Sequence, residues 1–250
     1  MKIYAILCLF LFNVLGIEAQ RLELPKPLKG SDEKIIVHEG YTCSFNTSRL
    51  TPTYVAWCLT RERTRGTVKR TNFFDIDPTI DRRYQVKHSD YSGSRYDRGH
   101  MCPSADNQHS QKAMVECFYM TNMCPQSHAL NSGAWNDLEI QCRSWARNYG
   151  KIYICAGPIY DKKPYTTIGP RKNYKIAVPD RFYKVVLMIG KTSKAIGFIY
   201  PNGTANKEMR DYAVSVDKVE QVTGLDFFYQ LDDKTEKQIE KECIPSAWGI

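Results

Sequence analysis

The chain has 250 residues, 42% of them hydrophobic, and its 35 Lys and Arg against 27 Asp and Glu give a formal net charge of +8. That length fits one large domain or two small ones. No Gly/Ser- or Pro-rich linker and no internal repeat divides it, which argues against separate modules or a repeat array, and no apolar run beyond Ile17 approaches the roughly 20 residues of a bilayer span.

Residues 1–19 read as a secretory signal. Lys2 supplies the positive start, Ile3 to Ile17 is almost wholly apolar, and Ile17-Glu18-Ala19 resembles a small-residue cleavage site. Cleavage there predicts a single domain over residues 20–250, without a membrane segment, in a secreted or periplasmic location. Of the nine cysteines, Cys8 leaves with the signal, and an even number in an exported chain predicts disulfides. Cys243 is placed to staple the C-terminus.

Ile35–Val37, Tyr41–Phe45 and Tyr54–Leu59 are short β-branched and aromatic runs, predicted as antiparallel strands. Arg61, Arg63, Arg65, Lys69 and Arg70 form the densest basic segment, and Phe73 to Asp90 is loop-like. Asp97-Arg98-Gly99-His100, with Pro103 following, places a histidine beside an arginine, an aspartate and a turn-forming glycine. Three such polar groups make poor core. Gln111–Glu116 is predicted as a short helix, and Cys117–Asn122 as a strand that delivers Asn122 and a Pro125-Gln126 turn.

From Ser132 to Asn148 the spacing predicts a helix, because Trp135, Leu138, Cys142, Trp145 and Tyr149 recur at intervals of 3, 4, 3 and 4, with Gly150 as the stop. Lys151–Ala156, Phe182–Ile189 and Ala195–Tyr200 are predicted strands. Ser215 caps a helix to Thr223, ended by Gly224. These elements predict a mixed α+β fold with a largely antiparallel sheet. Asn46-Thr-Ser48 and Asn202-Gly-Thr204 match the glycosylation acceptor pattern.

The run D-R-G-H-x-x-P from Asp97, followed by N-x-x-P-Q-x-x-x-x-N-x-G-x-W-x-x-x-E from Asn122 to Glu139, resembles the DNA/RNA non-specific endonucleases. That family spans secreted bacterial nucleases and mitochondrial endonuclease G. The resemblance extends from about Tyr41 to about Leu231, and it implies a ββα-metal (His-Me finger) active site. It implies His100 as the general base, Asn131 as the single direct protein ligand of Mg²⁺ (Mn²⁺ or another divalent cation in its place), Glu139 as the acid holding metal-bound waters, and Asn122 as a further active-site amide. Arg98 and, on a looser alignment, Arg70 would contact phosphate, where a guanidinium binds in bidentate fashion. The implied activity is hydrolysis of DNA and RNA through backbone contacts, with 5′-phosphate products; relatives often dimerise, so a homodimer is compatible.

Three rival readings use the same residues. His100, Cys102, Cys124 and His128 could supply four zinc ligands. Cys102 could be a thiol nucleophile with His100 as its base. A non-catalytic extracellular nucleic-acid-binding module of the same fold is the third. Cys102 and Cys124 could also pair and staple the His100 segment to the one leading into the helix.

Overall fold

The computed structural model describes residues 20–28, 33–169 and 175–250, so the signal-peptide reading lies outside the described residues. Seven antiparallel strands form the main sheet. Its strands are β1 (Glu33–Val37), β2 (Thr42–Asn46) and β3 (Thr51–Thr60) on one side, with β6 (Lys151–Ile159), β9 (Arg181–Met188), β10 (Lys194–Pro201) and β11 (Ala213–Val214) following across. Between β3 and β6 the chain leaves the sheet to build a two-stranded ribbon, β4 (Tyr96–His100) with β5 (Met123–Ser127). It returns through α2 (His128–Asn131) and α3 (Ala134–Tyr149) into β6 (Lys151–Ile159). A second small ribbon, β7 (Thr167–Ile168) with β8 (Ile176–Ala177), precedes β9 (Arg181–Met188), β10 (Lys194–Pro201) and β11 (Ala213–Val214). The helices α1 (Gln111–Glu116), α4 (Val216–Thr223) and α5 (Asp233–Lys241) complete the fold.

Both faces of the central strands are covered, which explains why β6 and β9 read as continuous apolar runs and not as alternations. Trp57, Ile154, Val186 and Ile196 are paired in register across β3, β6, β9 and β10 and belong to one core layer, with the α3 stripe Trp135, Leu138, Cys142 and Trp145. Ala56, Cys155 and Val185 alternate with them and face a second layer with Val216, Val219, Phe227 and Ile239 from the C-terminal segment. Each large apolar side chain buried in this way contributes about 1.5–3 kcal/mol. A Cβ on Gly197 would stand 2.6 Å from Val219 Cγ2, so glycine lets α4 lie directly on β10. Ser215 accepts the Lys218 N–H to cap α4, and Gly224 ends it at φ 72°, as its sequence predicts.

Several expectations are corrected. Cys117–Asn122 is not a strand but a 3-10 turn at Met120–Asn122 with its approach, because the Asn122 side chain takes up the local backbone groups. The strand is β5, and it contains Pro125, which is tolerated because a two-stranded ribbon is all edge. Gly99 likewise lies in strand β4, not in a turn. The charged tail holds helix α5.

All eight cysteines of the described residues are free, including Cys102 and Cys124, so the predicted disulfides are absent, and Cys243 is exposed rather than a staple. The two acceptor asparagines are occupied within the fold. Asn46 accepts from the N–H groups of Ser48 and Arg49, while Asn202 donates to the carbonyls of Pro125 and Pro179. No helix among the described residues is long and apolar enough to cross a membrane.

Candidate active site

The ribbon β4–β5 and the N-terminal half of α3 enclose a cleft of about 300 Å³. Arg70, Arg98, His100, Asn131 and Glu139 all line it, joined by Phe74, Asp97, Ser104, Asn136 and Arg143. Five of the six residues singled out in the sequence therefore meet in one place. Asn122 does not. It is fully buried behind the cleft, where its Oδ1 accepts the Cys102 N–H at 2.9 Å and its Nδ2 donates to the carbonyls of Cys102 and Cys117 at 2.9 and 2.8 Å. These three bonds hold the amide against the backbone of Cys102 and Cys117, so it braces the chain behind His100 and does not line the cleft.

His100 ends β4, and its carbonyl accepts the indole N–H of Trp135 at 3.2 Å, which ties the ribbon to α3. The imidazole stands edge-on to Phe118 at 4.9 Å and tilted against Phe74 at 5.6 Å. Nε2 is buried with no hydrogen-bond partner, which leaves Nδ1 as the nitrogen on the cleft side. Burial, and then the charge of Arg70, pushes this imidazole down to about 3, so it is neutral throughout the physiological range. Glycine at position 99 is forced by the neighbouring strand, because a Cβ there would lie 2.2 Å from Gln126 Oε1 and 2.6 Å from its Cβ.

Asn131 closes α2, and its side chain is fixed by Asp97. Asp97 Oδ2 accepts the Asn131 Nδ2–H at 2.9 Å and the His128 Nδ1–H at 2.9 Å. With Nδ2 so held, Oδ1 is the amide atom left to face a cation, and a neutral oxygen donor suits a hard ion that keeps most of its waters. Glu139 sits two turns along, half-buried. Burial raises its carboxyl to about 7, and the charge of Lys184 is the largest influence in the opposite direction. One neutral oxygen and one nearby carboxyl fit a hydrated divalent cation.

The arginines are individually braced. Arg98 lies over the Phe74 ring at 4.7 Å and donates to His88 Nδ1 at 3.2 Å. Arg70 lies over Phe118 at 5.2 Å and donates to Ser104 Oγ at 2.7 Å. Arg143, one turn after Glu139 on α3, pairs with the buried Asp106 at 3.1 Å. The sequence reading missed Arg143, although its i+4 spacing from Glu139 puts both on one side of the helix. Of the basic segment at 61–70 only Arg70 lines the cleft. Arg61 and Arg63 donate to backbone carbonyls, Arg63 to those of Cys58, Gly40 and Asp106.

Two rivals fail on this geometry. The four zinc-ligand candidates do not gather their donor atoms; among the described residues only Asp217, Glu220 and Glu240 form such a group. Cys102 is fully buried, accepts from Asn107 Nδ2, and burial raises its thiol far above the usual range, the opposite of a nucleophilic cysteine.

Residues 20–234 match the family described as DNA/RNA non-specific endonuclease. The chain belongs to that family. It is 32% identical over 219 residues to the mitochondrial nuclease EXOG of Xenopus laevis, covering 82% of this chain and 61% of that protein. It is 34% identical over 227 residues to the mitochondrial Nuclease 1 of Schizosaccharomyces pombe, covering 83% of this chain and 70% of that one. A solved structure of endonuclease G in complex with its inhibitor superposes with a TM-score of 0.74 at 31% identity, over 80% of this chain and 88% of that chain. The mixed α+β architecture is thus that of the ββα-metal nucleases, a fold that implies a divalent metal. These relatives overturn the expectation of a secreted or periplasmic protein, because they are mitochondrial nucleases and point to a mitochondrial location.

Proposed function

We propose that this family member hydrolyses phosphodiester bonds of DNA and RNA at the His100 cleft, with Mg²⁺ held by Asn131 and 5′-phosphate products. The reading rests on one observation: a neutral buried histidine, an amide oxygen oriented by Asp97, a carboxyl and three arginines line the same small cleft.

Arg98, Arg70 and Arg143 bind and orient the phosphate, each guanidinium already fixed by an aromatic ring or a carboxylate, so little side-chain freedom is lost on binding. His100 takes the proton of the attacking water at Nδ1. The incoming phosphate offsets the repulsion by Arg70 and thereby raises the basicity of the imidazole. Phe74 and Phe118 hold the ring in place and keep water from its buried edge. A Mg²⁺ held by Asn131 would supply neutralisation of charge on the phosphate and acidify its waters. Glu139 would accept hydrogen bonds from the waters of such an ion. Asn122 and Asp97 serve this set by position only.

The cleft offers three guanidiniums to phosphate, contacts that carry no base information, which supports recognition of backbone rather than sequence. A homodimer is the expectation carried from the resemblance, and light scattering on the purified chain reads it directly. The reading as a whole is tested by incubating supercoiled plasmid and RNA with purified protein, with EDTA, Mg²⁺ and Mn²⁺ arms. Degradation of both polymers restored by Mg²⁺, with 5′-phosphate ends, supports it. DNA binding without cutting in any arm replaces it with the non-catalytic module.

A further inference from the structure

On the sheet face remote from α3, helices α4 and α5 bring three carboxylates together. Asp217 stands in the first turn of α4, Glu220 one turn later, and Glu240 in the last turn of α5. One oxygen from each lies within 4.8 Å of the other two. Asp217 is exposed, Glu220 half-buried, and Glu240 only 5% exposed. Glu240 Oε1 is enclosed with no hydrogen-bond partner. Glu220 Oε1 accepts the Phe227 N–H at 2.6 Å, which fixes the orientation of that carboxylate. Asp226 and Glu236 line the same depression with Lys237 and Lys241, yet Asp226 is paired with Lys26 at 2.9 Å. Among the described residues, no lysine or arginine forms an ion pair with any of the three.

A buried, unpartnered carboxylate is costly alone. Two neighbours of like charge raise that cost, and so does the last turn of a helix, where the backbone dipole is negative. Burial and the adjacent carboxylates push Glu240 up to about 9 and Glu220 up to about 7. The spacing matches a shared ion, since oxygens at about 2.4 Å from one hard cation lie no more than about 4.8 Å apart. We propose that Asp217, Glu220 and Glu240 form a binding site for a hard divalent cation of the calcium type, separate from the Asn131 cleft. The ion joins α4 to α5 and so braces the helical layer against β10, with water completing its shell on the Asp217 side.

The test is titration of CaCl₂ into EDTA-stripped full chain at constant ionic strength, followed by calorimetry and by thermal unfolding. Wild type, Asp217→Asn, Glu240→Gln and Asn131→Ala are compared. At 100-fold saturation, Tm of the wild type is expected to rise on the order of 5 °C. The rise persists in Asn131→Ala, whereas Asp217→Asn and Glu240→Gln bind Ca²⁺ at least tenfold more weakly and lose most of the shift. Asp217 is exposed, so its variant reports even if Glu240→Gln fails to fold. Equal affinity and equal shift in wild type and Asp217→Asn, or a shift that disappears only in Asn131→Ala, overturns the site. A wild type insensitive to Ca²⁺ overturns it too, and leaves the three carboxylates to share a proton.

Discussion

Asp97 Oδ2 accepts the side-chain N–H of Asn131 at 2.9 Å, and this one bond determines which atom of the amide faces the cleft. Without it the amide could present nitrogen, a donor useless to a cation. Partners that orient a metal ligand in this way are typically worth 10–100-fold in affinity. Asp97→Ala is therefore expected to raise the Mg²⁺ concentration for half-maximal cleavage by about that factor, with much of the turnover recovered at high Mg²⁺. A Mg²⁺ titration identical to wild type would remove Asp97 from the site.

Lys184 is fully buried on β9, with Nζ 4.3 Å from the Trp135 ring centroid and no hydrogen-bond partner. Its charge is the largest influence holding the Glu139 carboxyl down against burial. Replacing it should raise Glu139 above its value of about 7, and a carboxylate needed in ionised form is lost at any pH below its pKa. The acid limb of the pH–rate profile of Lys184→Met, at saturating Mg²⁺, should accordingly move to higher pH. A profile that superposes on wild type would show that Glu139 does not act as a carboxylate.

Asn122→Ala separates a structural amide from a catalytic one. The substitution deletes three buried hydrogen bonds and strands the Cys102 N–H, at about 1–3 kcal/mol for each unsatisfied group. Urea denaturation should show a loss of more than about 3 kcal/mol. Wild-type stability with abolished turnover would instead return Asn122 to the reacting groups.

Gly99→Ala should destabilise the ribbon, since its Cβ would meet the Gln126 side chain of the paired strand at 2.2 Å. Gln126→Ala removes Oε1 and Cδ but keeps the Cβ at 2.6 Å, so the double variant should regain only the part of the loss due to the amide end, a coupling between contacting residues. Additive losses in the cycle would show that the amide end of Gln126 is not what requires glycine at 99.

The legible part of this chain was what one-dimensional spacing encodes. The α3 stripe, the Ser215 cap with Gly224, and the apolar runs of β6, β9 and β10 each carry their own signal, and Arg98, His100, Asn131 and Glu139 fall within recognisable motifs, while Arg70 rested on a looser alignment. Asn122 carried the same motif signal, yet only three-dimensional contacts show its amide turned away and engaged. Arg143 was passed over because its meaning depends on Asp106, 37 residues away. Lys184 was invisible because its alternation in β9 buries a charge at a position where sequence rules expect an apolar side chain. The disulfides followed from an assumed oxidising compartment, an argument about surroundings and not about Cα geometry, and the free cysteines correct it.

The most direct measurement is single-turnover cleavage of a short duplex by wild type and His100→Ala, with Mg²⁺ and enzyme in excess and folding checked by circular dichroism. The account predicts a loss of about 10²–10⁴-fold in the cleavage rate, the usual contribution of a positioned general base, with DNA affinity within a few-fold of wild type. A correctly folded His100→Ala that cleaves at the wild-type rate would contradict it.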